Sequence, residues 1–386
     1  MRVYLDNAST TFPKPKEVSE SIYNFLTNIG GNPGRSNHKN SMDSNRVLLE
    51  SRITLANLFN FDKFENVIFT NNITTSLNIL INGMFKEGDH VITSSMEHNS
   101  VLRPLFRLKE LNIIDLYVCK ANSFGFIDIN DIKSNLKSNT KAIILSHASN
   151  VVGSIQPIFE ISKICSDNNI HFILDSAQSA GSVDIDFKAL NLSALAFTGH
   201  KSLYGPQGTG GFLISDDLNF ICSSTILGGT GSLSHSLSQP DFLPDKFESG
   251  TLNMPGIYGL LEGVNFINKE GIKTIHDKNN FLLNYLVNDL KNIDNLKIYL
   301  DSNNINNYTS CVSLNINNIE TAELSYILDN DFGIQNRSGL HCAPLAHETI
   351  GTYPSGTVRL SIGYFNTLDE IKYTISALNK ISKSVR

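Results

Sequence analysis

The residues best suited to chemistry in this chain are an aspartate and a lysine that each follow a short apolar run. Asp175 ends the run HFIL, and Lys201 follows ALAFTGH and precedes a glycine-rich turn. A desolvated lysine can lose its charge and act as a nucleophile or form a Schiff base. A carboxylate at a strand end can bind metal, act as a base or pair with a protonated ring nitrogen. Each also has an ordinary alternative, a solvated lysine or a turn-forming aspartate, which for Lys201 alone is the commoner case.

The two residues are more informative as a pair, because they lie one strand-and-turn unit apart at the same end of a predicted sheet. Pyridoxal phosphate (PLP) requires an acid at its pyridinium nitrogen and a lysine for its aldehyde. The pair therefore favours a PLP site, with Gln178 close by. His98 follows another apolar run in the same layer. It could stack on a planar cofactor, or it could be a surface histidine.

A phosphate group needs a binding site of its own. Thr74 and Thr75 precede a helical stretch, and a helix N-terminus offers free N–H groups and a favourable dipole to an anion, although a threonine there is also an ordinary helix cap. Thr198 and His200, beside the lysine, could add contacts. The glycine-rich loop at 205–211 lacks the Gly-Lys-Ser/Thr ending of a P-loop, so we interpret it as tight turns around the lysine.

These side chains need a scaffold, and the first two thirds of the chain alternate short apolar runs with amphipathic stretches. Continuous apolar strands separated by helices predict an α/β fold with a mostly parallel sheet covered on both faces. In such sheets the ligand lies beyond the carboxyl ends of the strands. The predicted strands are Val67–Phe69, Val91–Thr93, Ile113–Val118, Ala142–Leu145, Ile170–Leu174, Ala194–Phe197 and Gly211–Ile214, and the predicted helices include 75–85, 100–111 and 157–168.

After about residue 260 the pattern changes to that of a second, α+β unit. A helical stretch at 258–291 leads to strands, a helix, a further strand and a final helix. We predict a large domain over 13–258 and a small domain formed by 1–12 plus 259–386. The predicted elements of the small domain are strands at 296–300, 311–315, 332–336 and 357–362, and helices at 320–329 and 368–381.

Composition excludes several classes of protein. The 386 residues have a net charge of −6, which argues against a protein that binds the phosphate backbone of nucleic acids. No apolar run is long enough to span a membrane, and the N-terminus has no apolar signal region. The five cysteines are scattered without a CxxC pair, so a disulfide framework is not expected and a reducing cytoplasm is the default.

Eight motifs then occur in order along nearly the whole chain: YLDNAST, MEHNS, SHASN, LDSAQS, FTGHKSLYGPQG, FESGTLNMPG, RSGLHCAP and TVRLSIGYFNT. Together they resemble the class V aminotransferase family of PLP enzymes, and within it the cysteine desulfurase and selenocysteine lyase branch. The resemblance implies the PLP-dependent transferase fold type I, with a mostly parallel seven-stranded sheet in the large domain. The smaller C-terminal domain would carry the catalytic cysteine and an arginine for the substrate carboxylate.

The resemblance also implies residue roles. Lys201 would bond to the cofactor aldehyde, Asp175 would pair with the ring nitrogen and Gln178 with the ring hydroxyl oxygen, while His98 would stack on the ring and assist proton transfer. Two residues of the FESGTLNMPG motif would reach the phosphate of a neighbouring subunit, which implies a homodimer with shared active sites. The remaining cofactor contacts would come from Thr74, Thr75, Thr198, His200, Asn150 and, across the dimer, Gly250 and Thr251. The substrate contacts would come from Arg359, Asn150, Ala8 and Arg35.

Cys342 would decide the reaction. It lies in RSGLHCAP, where Arg337 and His341 could favour its thiolate, whereas the other four cysteines have apolar surroundings typical of small buried hydrophobes. The motif resembles the second group of cysteine desulfurases, whose catalytic loop is short. This implies conversion of L-cysteine to L-alanine with a persulfide on Cys342 for a sulfur-acceptor protein. The motif departs from that group at Leu340, where a first histidine is usual, and the chain is short at its N-terminus.

Other functions remain compatible with the sequence. A selenocysteine lyase would use the same scaffold on L-selenocysteine and would not need Cys342. Another class V reaction, such as transamination or β-elimination, would act on a different amino acid, and a non-catalytic scaffold would only bind partners. His341, Cys342 and His347 are clustered and soft enough for zinc, although only three candidates are present.

Overall fold

The computed structural model describes residues 1–34 and 38–384, and its centre is a seven-stranded sheet. Every predicted strand between residues 67 and 214 is present, and each observed end lies within two residues of the predicted one. The sheet consists of β2 (Val67–Thr70), β3 (Asp89–Ser94), β4 (Ile114–Cys119), β5 (Thr140–Ser146), β6 (His171–Asp175), β7 (Ala194–Thr198) and β8 (Gly210–Ile214). The spatial order is β2-β8-β7-β6-β5-β3-β4, and only β8 runs antiparallel to its neighbours.

Both faces of this sheet are covered, which explains why its strands read as unbroken apolar runs. In β6, Phe172 and Leu174 point into one apolar cluster and Ile173 into another on the opposite face. The helices in this part of the chain are α1 (Lys16–Asn24), α2 (Lys39–Leu58), α3 (Ile73–Met84), α4 (Asn99–Glu110), α5 (Ile129–Ser134), α6 (Ile158–Asp167), α7 (Asp216–Ile221) and α8 (Met254–Glu270). Because β5, β6, β7 and β3 are parallel, their carboxyl ends share one edge of the sheet.

A third apolar cluster lies in the C-terminal part and includes Val3 and Leu5 from the start of the chain. A short strand β1 (Val3–Tyr4) pairs in parallel with β11 (Ile334–Gln335), and a four-stranded antiparallel sheet has the order β12-β13-β10-β9. The remaining elements are α9 (Ile272–Leu290), β9 (Leu296–Ile298), β10 (Cys311–Ile316), α10 (Thr321–Asn330), β12 (Arg337–Gly339), α11 (Pro344–Thr349), β13 (Thr357–Ser361) and α12 (Leu368–Ser384).

The helical stretch expected at 258–291 is two helices. Gly271 separates α8 from α9 with a φ of 85°, a conformation that an L-residue with a side chain rarely adopts and that ends the first helix. The strand expected at 332–336 is also shorter than predicted and comprises only Ile334–Gln335. Within the described residues, every helix is too short or too polar to span a lipid bilayer.

Candidate active site

Asp175 and Lys201 lie at the shared carboxyl edge of the sheet. Asp175 is the last residue of β6 and is only 3% exposed, and its Oδ1 accepts a hydrogen bond from Ala177 N–H at 2.9 Å. Burial raises the pKa of this carboxyl, while the N–H of Ala177 and the positive charge of Lys201 oppose the rise. Burial lowers the pKa of Lys201 to about 8, and the Asp175 carboxylate limits the fall. The predicted pair is therefore close enough to interact.

The turn that carries Lys201 is fixed on both sides. Gly199 is required there, because a Cβ atom would lie 2.1 Å from Thr209 Oγ1. The carbonyl of His200 accepts hydrogen bonds from Thr11 N–H at 3.1 Å and from Lys14 Nζ at 2.6 Å. Burial lowers the pKa of Lys14 to about 7. This second lysine was not predicted from the sequence, where its only signal is its place between two prolines close to the YLDNAST motif.

His98 caps the helix that follows β3. Its Nδ1 accepts a hydrogen bond from Ser100 N–H at 3.0 Å. Since a backbone N–H can only donate, the neutral ring must carry its proton on Nε2. Burial, reinforced by the positive charges of Lys201 and Arg337, lowers the pKa of His98 to about 4. His98 is therefore a neutral ring whose Nε2–H is its available polar group.

Glu97 is a buried acid that was not among the predicted site residues. It is 0% exposed, and its Oε2 accepts hydrogen bonds from Ser146 N–H at 2.8 Å and Ser146 Oγ at 2.7 Å. Ser94 Oγ donates to Oε1 at 2.5 Å. Burial raises the pKa of Glu97 to about 8 against these hydrogen bonds, and the charge of Asp175 adds to the rise. An acid between Met96 and His98, directly after a buried strand, is the sequence signal that could have revealed it.

The start of α3 provides a site for an anion. The side chain of Asn72 accepts the N–H of Thr75 at 3.0 Å, which leaves the N–H groups of Ile73 and Thr74 without intrahelical acceptors. Thr74 lines an open groove of about 440 Å³ together with His98 and Cys342.

The other expected phosphate contacts are divided between two places. Thr198, buried at the end of β7, and His200, whose buried Nδ1 has no hydrogen-bond partner, lie on the Lys201 segment. Thr75 instead lines a separate cavity of about 140 Å³ together with Thr251. Gly250 and Thr251 are exposed. Thr198 and His200 thus lie on the lysine segment, and the cavity lined by Thr75 and Thr251 also includes Thr209, whose carbonyl accepts the N–H of Gly199 at 2.8 Å.

Gln178 and Ala8 contact each other at the junction of the apolar clusters. Gln178 Nε2 donates to Ala8 O at 3.1 Å, and Ala8 N–H donates to Ser361 Oγ at 2.9 Å. Both residues line one small cavity. Arg35, the other expected substrate contact, lies outside the described residues.

Arg359 is 1% exposed and already makes three hydrogen bonds. Its Nη1 donates to Asn150 O at 2.8 Å, and its Nη2 donates to Asp6 Oδ1 at 3.0 Å and to Ser9 Oγ at 2.8 Å. Its buried Nε has no partner. Three of the five N–H groups of the guanidinium are therefore occupied, and a substrate carboxylate that binds in two-pronged fashion must displace Asp6 or Ser9.

Cys342 is the one exposed cysteine of the five, all of which lie in described residues. Its sulfur lies 3.9 Å from Nη2 of Arg337, whose Nη1 donates to Ser9 Oγ at 3.2 Å. His341 and Cys342 both have positive φ, 50° and 57°. For residues with a Cβ this conformation costs about 1–2 kcal/mol each, so the surrounding contacts must hold the thiol in place.

A zinc site at this loop is not supported. His341 Nδ1 lies 3.2 Å from His347 Nε2, so the two rings are bonded to each other, while Cys342 points to the groove. Across residues 1–34 and 38–384, no three His, Cys, Asp or Glu side chains are grouped so that they could hold a metal ion.

The arrangement does fit PLP. The buried carboxylate suits the ring nitrogen, and the lysine of lowered pKa suits the aldehyde. The two free N–H groups at the helix start and the unpartnered histidine nitrogen suit the phosphate.

Comparison with known proteins agrees with this chemistry. The family model for aminotransferase class V matches residues 3–374. A probable cysteine desulfurase of Methanothermobacter thermautotrophicus is 34% identical over 98% of this chain and 94% of the relative. The cysteine desulfurase IscS of Buchnera aphidicola subsp. Baizongia pistaciae is 32% identical over 100% of this chain and 93% of the relative.

A solved structure confirms the fold. The apo structure of a cysteine desulfurase from Thermococcus onnurineus is 30% identical and has a TM-score of 0.94, with coverage of 99% of this chain and 95% of that chain. The predicted fold type I is therefore confirmed, and the relatives support the desulfurase interpretation over a selenocysteine lyase. The chain belongs to the class V aminotransferase family, within its PLP-dependent cysteine desulfurases.

Proposed function

We propose that this chain converts L-cysteine to L-alanine and carries the released sulfur as a persulfide on Cys342. The observation that carries the proposal is the position of the exposed thiol. Cys342 shares an open groove with His98 and Thr74, and His98 in turn lies within electrostatic range of Lys201. A thiol at this place can meet the sulfur of a substrate held at the sheet edge.

Bound PLP would supply the electron sink that weakens bonds at the substrate Cα. Lys201 would hold its aldehyde, Asp175 its ring nitrogen and Gln178 its ring oxygen. The helix start at Thr74, with Thr198 and His200, would hold the phosphate. Once released from the cofactor, Lys201 is suited to take the Cα proton, because a pKa near 8 leaves part of the amine neutral at neutral pH.

His98 and Lys201 divide the proton work. Nδ1 of His98 already accepts the Ser100 N–H, so the proton is on Nε2. The imidazole is therefore suited to stack on the cofactor ring and to donate a hydrogen bond from Nε2–H, rather than to accept a proton. This assigns the Cα proton to Lys201. It also leaves His98 as a neutral donor within the groove beside the thiol.

Arg359 would bind the substrate carboxylate after Asp6 or Ser9 releases its hydrogen bond from Nη2. Asn150 and Ala8 would also contact the substrate. The Cys342 thiolate then attacks the substrate sulfur. The new S–S bond forms as the C–S bond breaks, and the electron pair of that bond remains on carbon, which takes up a proton to give alanine. The balance is one cysteine and one thiol converted to one alanine and one persulfide, without an external oxidant or reductant.

We also propose a homodimer with shared sites and the domain division given above. Gly250 and Thr251 are exposed, which suits a contact with the phosphate bound by the partner. The separate apolar cluster around Val3 and residues 282–381 supports a small domain built from both ends of the chain. Five free thiols suit a reducing cytoplasm, where a sulfur-acceptor protein would reach Cys342 through the groove.

The test is mass spectrometry of the holoenzyme after brief exposure to L-cysteine without reductant, with the Cys342 peptide mapped. One added sulfur atom on Cys342 is expected, and Cys342→Ser should bind PLP and cysteine yet release little sulfide. Lys201→Ala should lose turnover. Alanine formed with an unmodified Cys342 would contradict the proposal, and activity of Cys342→Ser on L-selenocysteine alone would favour the lyase.

A further inference from the structure

The exposed thiol lies on a backbone segment whose conformation is unfavourable by itself and needs contacts from other residues. His341 and Cys342 are consecutive residues in the left-handed region, at φ values of 50° and 57°, a conformation that non-glycine residues rarely adopt and almost never in succession. Two hydrogen bonds reach their carbonyl groups. Asn150 Nδ2 donates to His341 O at 2.6 Å, and Asn99 N–H donates to Cys342 O at 2.8 Å. The side chain of His341 must be held as well, because it sets the orientation of the same pair.

A second histidine holds it. His347 lies on α11, is 0% exposed, and stacks on His341 with ring centres 5.4 Å apart. The Nε2 atom of His347 lies 3.2 Å from Nδ1 of His341. At its other side, Nδ1 of His347 lies 2.7 Å from Thr352 Oγ1. Within the reaction described above, His347 has no task.

The hydrogen bond between His341 and Arg337 determines which atom donates in each of the other hydrogen bonds. His341 Nε2 lies 3.3 Å from the carbonyl oxygen of Arg337, which can only accept, so Nε2 carries the proton. Nδ1 of His341 is then an acceptor and Nε2 of His347 the donor. Nδ1 of His347 is in turn an acceptor, and Thr352 Oγ donates to it. Every group in the series has one consistent role.

The series ends at the residue that contacts the thiol. Arg337 gives its carbonyl to His341 and places Nη2 3.9 Å from Cys342 Sγ. Thr352, His347, His341 and Arg337 thus form one hydrogen-bonded series, which we call the histidine relay. It surrounds the strained pair from α11 on one side and β12 on the other.

We propose that His347 is a positioning residue for Cys342, and that the histidine relay holds the His341–Cys342 pair in the left-handed conformation that presents the thiol to the substrate sulfur. The proposal rests on the function proposed above. A histidine that only stabilised the fold would affect all steps of the reaction alike. A positioning residue affects sulfur transfer and leaves proton exchange at Cα intact.

Three variants of the holoenzyme separate these cases. His347→Leu removes both hydrogen bonds of the ring, and His347→Gln restores a donor toward His341. His90→Leu is the matched control, because His90 is equally buried and bonded to a threonine hydroxyl, Nδ1 to Thr140 Oγ1 at 2.8 Å, at the opposite end of β3 from His98.

Two rates are measured for each variant. One is the single-turnover rate at which sulfur appears on Cys342, followed by mass spectrometry. The other is deuterium exchange at Cα of L-alanine in D2O, followed by NMR, which needs the cofactor and Lys201 but no thiol. For His347→Leu we expect a loss of about 10²-fold in the first rate, the scale of a displacement near 1 Å, with the second unchanged. His347→Gln should recover most of the loss.

Each other result would overturn the proposal. These are persulfide formation by His347→Leu at the rate of His90→Leu, an equal loss of alanine exchange, and no recovery in His347→Gln. Alkylation of Cys342 by iodoacetamide in cofactor-free protein gives a readout independent of turnover, and we expect His347→Leu to slow it as the thiol leaves Arg337. A wild-type chain that forms no persulfide would refute the proposed function, while the alkylation comparison would still test the relay.

Discussion

Glu97 provides the sharpest test of the electrostatics behind this site. Its carboxyl lies between the ends of β3 and β5, accepts hydrogen bonds from Ser94 and Ser146, and is within range of the Asp175 charge. The perturbation is Glu97→Gln. The glutamine oxygen can accept both hydrogen bonds from Ser146, and its amide can donate to Ser94 Oγ, so the variant reproduces the protonated acid without its ability to ionise.

The magnitude follows from the pKa of Glu97, about 8 in the folded protein against 4.5 for the free group. Between these values the folded state holds a proton that the unfolded state has lost, so the stability of the wild type falls as pH rises. The slope is about 1.4 kcal/mol per pH unit. Summed over the interval, ionisation of Glu97 costs the fold about 5 kcal/mol at pH above 8 and nothing below 4.5.

The assay is urea unfolding of both proteins at pH values from 5 to 9, taken as the difference in free energy of unfolding. Titration of the groups that do not interact with Glu97 cancels in that difference. The free energy of unfolding of Glu97→Gln, relative to that of the wild type, should rise steadily up to about pH 8. Above that pH the difference should stay constant. Glu110→Gln is the control, since that acid is exposed on α4. A difference that stays constant with pH, or that favours the wild type at high pH, would refute the reasoning.

Three further predictions concern a buried ion pair, the substrate-binding arginine and the exposed thiol. Glu248→Gln should lower the free energy of unfolding by about 3–5 kcal/mol in urea titration. The substitution removes the counterion of Arg52 in a buried pair whose side chains are 6% and 7% exposed. Stability equal to that of the wild type would contradict this. Asp6→Asn should lower the KM for L-cysteine by roughly tenfold in steady-state assays, because Nη2 of Arg359 would be easier to displace, and an unchanged or raised KM would count against that role. Under native conditions a thiol reagent should modify one cysteine quickly, and Cys342→Ser should abolish that phase, because burial raises the pKa of the others; a rapid second thiol would be inconsistent with the structure.

The sheet and its reactive edge could be predicted because they depend on local patterns. Each strand is buried on both faces and so appears as an unbroken apolar run, and parallel strands place the residues that follow them at one edge. Asp175 and Lys201 follow directly from that rule. The Thermococcus structure confirms the predicted fold over 99% of this chain.

The contacts between distant segments could not be predicted in this way. Asp6 and Arg359 are separated by 353 residues, and no local signal indicates that the arginine already has a carboxylate partner. Thr74 and Thr75 are a different case. Consecutive helical residues point about 100° apart, so helix geometry alone could have shown that the two side chains line different cavities. The left-handed pair at His341–Cys342 has no sequence signal, because neither residue is glycine.

The charge distribution assigns the proton chemistry among the titratable groups. Arg337 and Arg359 join Lys201 in raising the potential at the site, and Asp175 is the buried acid beside the lysine. In such a field a protonated histidine is unfavourable, and burial acts in the same direction, so His98 is neutral and its tautomer is fixed by a backbone donor. Lysine escapes this restriction because its ordinary pKa is high enough to fall to about 8 and still exchange protons near neutral pH. Under the proposed function, Lys201 is therefore the expected base, and the histidines are expected to serve as hydrogen-bonding and stacking groups.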